Sequence, residues 1–245
     1  MYRFFTHQND INSNEISITD KNEIHHMKNV LQLKCKDNIQ IFNHNRQEVT
    51  GTISSISSQK ITVEKEKITI GMEPEIKIIL ACAIPKRSKF ETIIEKATEL
   101  GVDAIMPLET KRTQIKIKPD LVAKKLKRFE TVAINASKQS KRLSVPYIFP
   151  VTKFKEALKL LTATSIVIMP SLTKNTKPFI DTLTQLDKNQ ISSITFLIGP
   201  EGDFTDEEYA LAHQQRCIPV TLGPTVLKVE TAALCAISVA NLLFK

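Results

Sequence analysis

Ser193-Ile-Thr-Phe-Leu-Ile-Gly-Pro-Glu-Gly-Asp-Phe-Thr-Asp-Glu-Glu208 decides the fold class of this chain. Its first six residues are continuously apolar apart from Ser193 and Thr195, as a strand buried on both faces must be. Thr205, followed three positions later by Glu208, is a capping box, so a helix starts at Asp206 and runs to Gln214. Between the two, Gly199 and Gly202 let the backbone approach a ligand and Pro200 stiffens the turn. A strand that passes through a tight turn into a helix is the building unit of an α/β sheet.

The same grammar extends in both directions. Residues 76–84 form an apolar run that predicts a buried strand. Over residues 90–100, Phe90, Ile93, Ile94, Ala97 and Leu100 share a helical face, and Gly101 is its stop. Strands are expected over 102–107, 147–149, 165–169 and 218–222. Helices are expected over 119–137, which is basic and amphipathic, and over 154–161 and 229–244. Strands alternating with helices imply a mostly parallel sheet.

Residues 1–70 read differently. Segments 38–42, 49–56 and 60–70 are short, partly alternating and rich in Ile, Val and Thr, which suggests a small barrel. One helix interrupts them. Thr19 or Asp20 can cap it, Glu23 lies in its first turn, and its body is residues 24–31. Gly71-Met-Glu-Pro74 reads as a linker. The expected organisation is an N-terminal β-barrel over 1–72 and an α/β domain over 75–245.

Composition narrows the function. The chain has 245 residues, of which 42% are hydrophobic, so it is neither fibrous nor disordered. Its longest apolar stretch, 232–244, contains Ser238 and Asn241 and is too short for a membrane span. The start has no apolar secretory core. Cys35, Cys82, Cys217 and Cys235 are scattered, and His7, His25, His26, His44 and His213 add no ligand spacing, so no metal is expected. These features fit a reducing cytoplasm. The net charge is +8, and residues 75–150 carry all of it, with 16 Lys and Arg against 8 Asp and Glu. A concentrated excess suggests a surface for a polyanion, nucleic acid above all, against the plainer reading of a solvated helix face.

Two strand-to-helix loops carry three of the chain's six glycines: Leu197-Ile-Gly-Pro-Glu-Gly202 and Leu222-Gly-Pro-Thr-Val-Leu-Lys-Val-Glu-Thr-Ala232. In open α/β sheets such strand ends hold ligands. Neither matches a phosphate-binding glycine pattern, and Glu201 and Asp203 would repel phosphate. A neutral adenosine bearing a positive sulfonium suits them better. Taken singly, each loop is equally readable as a plain tight turn.

In these loops, and beyond them, the sequence resembles the ribosomal RNA small-subunit methyltransferase E family of the SPOUT superfamily. The likeness covers Arg3-Phe-Phe5, His25-His-Met-Lys-Asn-Val-Leu31, Phe90-Glu91, Lys96-Ala-Thr-Glu-Leu-Gly101, Ala136-Ser-Lys-Gln-Ser-Lys-Arg142 with Val145-Pro146, and both C-terminal loops. It implies a PUA-like β-barrel for RNA and a SPOUT domain with a trefoil knot. It implies S-adenosylmethionine as cofactor, methylation of N3 of a uridine in 16S ribosomal RNA, free or in the small ribosomal subunit, and a cytoplasmic homodimer with no membrane or metal partner. The chain departs from the family pattern at Gln32, Lys138, Asp203 and Lys228, and a lysine cannot supply the bidentate fork of arginine.

The candidate site residues follow. Leu197, Ile198, Gly199, Pro200, Glu201, Gly202, Leu222, Gly223, Leu227, Val229 and Ala232 are expected to hold the cofactor. Glu230 is the candidate for the proton or the sulfonium, against a plain helix-dipole role. Thr231 either orients the base or caps the helix. Arg142, with Gln139 and Ser140, is expected to reach the target nucleotide. Lys86, Arg87 and Arg112 are candidate phosphate contacts, and Arg3, His25, His26, Lys138 and Lys228 are further RNA candidates. The alternatives are a SPOUT enzyme acting on transfer RNA or a ribose 2′-OH, and a non-catalytic RNA-binding assembly factor.

Overall fold

The computed structural model describes the chain apart from residues 9, 87, 88, 114–118 and 174. Two compact units emerge. One comprises Met1–Glu73 together with Ser137–Val145, and the other comprises Pro74–Ala136 with Pro146–Lys245. The segment Ser137–Val145, expected within the second domain, therefore lies with the first unit.

The first unit holds β1 (Tyr2–Phe5), β2 (Glu15–Ile18), α1 (Lys21–His25, continuing as a π-helical turn over His26–Val30), β3 (Asn38–Phe42), β4 (Gln47–Ile56) and β5 (Ile61–Ile70). Their hydrogen-bonded order is β1-β3-β4-β5-β2, with β1 parallel to β3 and the other pairs antiparallel. Bulges at Thr50/Gly51 and Ile53/Ser55 bend the long β4–β5 pair. Gly51 is required there, because a Cβ would stand 2.3 Å from the Glu64 carbonyl oxygen. Inward residues of all five strands, such as Phe4, Ile16, Ile41, Val49 and Val63, meet Ile24 and Met27 of the helical turn in one core. Asp20, not Thr19, caps α1: its carboxylate accepts the amides of Asn22 at 2.9 Å and Glu23 at 3.0 Å. Strands β1 and β2 had no legible signal, since each is four residues long and owes its pairing to β3 or β5.

The second unit contains β6 (Lys77–Ala83), α2 (Lys89–Glu99), β7 (Ala104–Glu109), α3 (Val122–Gln139, of which the residues from Ser137 on belong to the first unit), β8 (Tyr147–Ile148), β9 (Thr152–Lys153), α4 (Phe154–Thr162), β10 (Ile166–Pro170), β11 (Lys177–Pro178), α5 (Phe179–Thr184), β12 (Ser193–Ile198), α6 (Asp206–Gln214), β13 (Ile218–Thr221) and α7 (Val229–Phe244). Its strands are all parallel, in the order β11-β13-β10-β12-β6-β7-β8, with β9 beside β7. The decisive strand β12 is buried at every residue and sits between β10 and β6. Phe196 at its centre is fully buried, which contributes about 2–3 kcal/mol. The expected elements stand within a few residues of their predicted bounds; β9, β11 and α5 were not anticipated. No helix among the described residues is long and apolar enough to cross a membrane.

Three helices end alike. Gly101, Lys141 and Arg216 adopt left-handed φ values of 92°, 58° and 61°. The amide that follows each bonds back across the last turn: Val102 to the Ala97 carbonyl, Arg142 to Ser137 and Cys217 to Ala212, at 3.0, 3.1 and 3.0 Å. This is the Schellman closure, which favours glycine at the left-handed position. Gly101 supplies it as the sequence predicted; Lys141 and Arg216 adopt the same conformation at a steric cost.

Candidate functional site

A cavity of about 360 Å³ opens at the C-terminal ends of three adjacent strands. Pro170, Ser171 and Leu172 come from the end of β10, Ile198, Gly199, Pro200, Glu201 and Asp203 from the end of β12, and residues from Thr221 lead out of β13 into α7. Of the residues expected to hold a cofactor, Ile198, Gly199, Pro200, Glu201, Leu222, Gly223, Leu227, Val229 and Ala232 line it. Leu197 does not: strand alternation turns its side chain into a core with Ala81, Met106 and Phe204. Nor does Gly202, which is exposed on the outer side of the loop, where an added Cβ would make only ordinary contact with Arg112. Gly199 is small for a packing reason, since its Cβ would press on the Phe204 ring at 3.1 Å.

The loop after β12 is held from several directions. The Asp203 amide closes a turn on the Pro200 carbonyl at 2.9 Å. The Glu201 carboxylate accepts the Lys86 amide at 2.9 Å. Arg112 donates to the carbonyls of Gly202 at 2.7 Å and Phe204 at 3.1 Å. Asp203, one of the departures noted above, keeps a left-handed φ of 63°. Its carboxylate accepts the Tyr209 hydroxyl at 2.8 and 2.9 Å and the Phe204 amide at 2.8 Å, which offsets the strain. Burial, reinforced by Asp203, pushes the Tyr209 hydroxyl up to about 12. The expected capping box is present between Thr205 and Glu208. The second carboxylate oxygen of Glu208 accepts the Lys111 amide at 2.8 Å, tying α6 to the loop after β7.

Among the described residues, the lining includes the acidic Glu201, Asp203 and Glu230 and one cation, Lys228. Cys82, at the end of β6, reports the sign of the local potential. Burial pushes its thiol up, and the charges of Glu201 and Glu230 push it further. Glu230 stands in the first turn of α7, whose N-cap is Lys228; Thr231 is the third residue inside the helix, exposed, and so is not its cap. Sequence reasoning missed Pro170, Ser171, Leu172, Thr225 and Val226. The loop after β10 has no glycine to betray it, and only the strand order brings it beside the other two.

The expected RNA residues fare unevenly. Arg3 is not offered to a ligand: its guanidinium is buried against Glu48, the carbonyls of Ser137 and Arg142, and the Phe42 ring. Lys138 is neutralised by Glu23. Arg112 is exposed and gives one terminal nitrogen to the carbonyls of Gly202 and Phe204. Lys228 belongs to the cavity. Lys86 is exposed, with its backbone on Glu201, and Arg87 lies outside the described residues. His25 and His26 are exposed, not partly buried; His25 contacts Asn29 at 2.8 Å and His26 meets Phe4 edge-on. Gln139 is exposed, while Ser140 and Arg142 are half-buried in the turn after α3. Part of the basic third is internally balanced: Arg128 grips Glu91 bidentately at 2.6 and 2.8 Å, and Lys96 bonds Glu95 and Glu99. Lys124, Lys125 and Lys127 are exposed along α3.

The family model described as an RNA methyltransferase domain matches residues 72–241, and the one described as an RNA methyltransferase PUA domain matches residues 18–66. The chain is 30% identical to ribosomal RNA small subunit methyltransferase E of Bacillus subtilis, over 97% of this chain and 95% of that one. Its counterpart in Mesomycoplasma hyopneumoniae is 32% identical, over 96% of each chain. The crystal structure of ribosomal RNA small subunit methyltransferase E from Neisseria gonorrhoeae bound to S-adenosylmethionine superposes with a TM-score of 0.86 at 27% identity, covering 100% of this chain and 98% of that one. An N-terminal PUA-like unit, a parallel SPOUT-like sheet with its cavity at the strand ends, and relatives matched along their whole length place this chain in the ribosomal RNA small subunit methyltransferase E family.

Proposed function

We propose that this protein transfers a methyl group from S-adenosylmethionine to N3 of a uridine in 16S ribosomal RNA. The observation that carries the proposal is the acidic, backbone-lined cavity at the ends of β10, β12 and β13. The cofactor supplies an electrophilic methyl group on a positively charged sulfur. The lining fits that group: among the described residues it includes Glu201, Asp203 and Glu230, the two loops carry no phosphate-binding glycine pattern, and the volume is that of a small-molecule site. Ile198, Gly199, Leu222, Gly223, Leu227 and Val229 bring backbone to the cavity, which suits the polar edges of an adenosine. Leu197 and Gly202 support the loop from behind. The trefoil knot of SPOUT proteins belongs to this reading, formed by the chain around the same loops.

The chain's own groups have two tasks. N3 of a paired uridine is hidden in the stack, so the target nucleotide is single-stranded or flipped out. Gln139, Ser140 and Arg142 are proposed to receive it, and holding N3 in line with the methyl group supplies much of the rate. The imide proton must leave. Glu230, at the cavity, is proposed to accept it or to stabilise the charge that its loss creates. Exposed Lys86, Lys124, Lys125 and Lys127 are proposed to meet the RNA phosphates, with His25 and His26 as further contacts and the protein acting in the cytoplasm. A homodimer is proposed because Leu172 and Val226, at the rim of the cavity, are 62% and 75% exposed, as interface residues are in a single chain.

The test is methyl transfer from labelled S-adenosylmethionine to 16S ribosomal RNA, free and in the small subunit, followed by mass spectrometry of the nucleosides. Labelled 3-methyluridine is expected. Label on transfer RNA or on a ribose would assign the chemistry to a different substrate, and cofactor binding without transfer would point to an assembly factor.

A further inference from the structure

The turn after α3 is gripped by a side chain that starts more than a hundred residues away. The side chain of Arg3, on β1, is only 6% exposed. Its Nε donates to Glu48 at 2.6 Å. One terminal nitrogen donates to the Ser137 carbonyl at 2.7 Å and the other to the Arg142 carbonyl at 2.5 Å. The guanidinium carbon lies 3.9 Å from the centre of the Phe42 ring. Every edge of the fork is therefore used, and both carbonyls bracket the residues Lys138 to Lys141. The Ser137 carbonyl is also the acceptor that closes the helix end through the Arg142 amide. A cation at a helix C-terminus is favoured by the dipole, but this one does more, because it joins both ends of the closing turn. The turn needs such an anchor, since Lys141 holds a left-handed φ of 58° that a lysine rarely adopts. Lys138, inside the bracket, is bound to Glu23 of α1.

We infer that Arg3 is a positioning residue, which fixes the Gln139–Arg142 turn in the conformation that receives the target nucleotide. This rests on the proposed role of Gln139, Ser140 and Arg142. Arg3 touches neither the RNA nor the cofactor in this scheme. It acts by presenting two carbonyl anchors and a carboxylate with one planar group, which a lysine at the same place cannot do. An RNA-contacting turn that is free to open loses the alignment on which transfer depends.

The experiment compares Arg3→Lys, Arg3→Met and Glu48→Gln in the full-length protein. All three weaken the ion pair, but only the Arg3 variants release the two carbonyls. For Arg3→Lys, kcat/KM toward 16S ribosomal RNA is expected to fall by about 10²-fold, mostly in kcat, with the Kd for S-adenosylmethionine unchanged by calorimetry. Glu48→Gln is expected to lower the melting temperature while retaining kcat. Amide hydrogen exchange at residues 139–142 is expected to speed up at least about tenfold in the Arg3 variants and to stay slow in Glu48→Gln. Arg3→Lys with wild-type turnover and unchanged exchange would overturn the inference, as would a Glu48→Gln variant that loses kcat as deeply. Should Arg3→Met fail to fold, Arg3→Lys decides alone. If the wild-type protein transfers no methyl group to RNA, the functional reading fails. The exchange arm, which needs no RNA, still decides whether Arg3 fixes the turn.

Discussion

The cavity at the strand ends and the turn after α3 are built on opposite principles. The cavity is shaped by three loops at strand ends, whose glycines and prolines set the path of the backbone and whose carbonyls and amides take most of the bonds that hold them. The turn is made of charge: a buried arginine, two carboxylates and a lysine drawn from β1, β4, α1 and α3. Backbone construction leaves a local trace, because only a few residue types permit it. Charge construction leaves none, because any Arg or Glu in the chain could be the partner. The difference explains why a short motif points to the cavity, while no local pattern tells that Arg3 and Lys138 are paired with Glu48 and Glu23.

The largest expected effect strikes the backbone-built region. Gly199→Val drives a branched side chain onto Phe204 and into the cavity. Calorimetry with S-adenosylmethionine should show no detectable binding, and wild-type affinity would remove Gly199 from the site. Next is Glu230→Gln, which keeps the shape of the side chain and removes its charge. A loss of kcat of about 10²–10⁴-fold with the cofactor still bound is expected if this carboxylate handles the proton. Full activity would leave it the plain helix-dipole role.

The charge-built surface should respond more gently. Replacing Lys124, Lys125 and Lys127 together by alanine removes up to three phosphate contacts. The slope of log K against log salt for RNA should flatten by up to about 2–3, whatever the RNA sequence, and an unchanged slope would clear this helix of RNA contact. Lys141→Gly relieves a left-handed lysine and should raise stability by about 1 kcal/mol, read as a higher urea midpoint at constant m-value. A drop instead would mean that the lysine side chain outweighs its strain.

The smallest effect concerns His44. Burial, with a further push from His7, lowers its pKa below the ordinary 6.5. The neutral ring is thus favoured in the folded state. Its contribution is present above pH 6.5 and is lost as pH falls through the folded value. His44→Gln should flatten the acid-side loss of stability below pH 6.5 and leave the neutral region unchanged.

What the amino-acid sequence by itself determined is what local physics writes along a chain. Strand β12 was legible because burial on both faces demands an apolar run, α6 because a capping box needs Thr205 and Glu208 three apart, and the end of α2 because Gly101 is cheap in a left-handed turn. The two glycine-bearing loops and their acidic character were legible for the same reason. Tertiary structure alone decided the rest. It placed the glycine-free loop after β10 beside those two loops, because strand order is a property of the sheet and not of any segment. It made strands of Tyr2–Phe5 and Glu15–Ile18, which are too short to pair without β3 and β5. It also drew Ser137–Val145 into the first unit and turned Arg3 inward. An ion pair between residues 3 and 48 is set by distance in space, and a one-dimensional pattern carries no record of it.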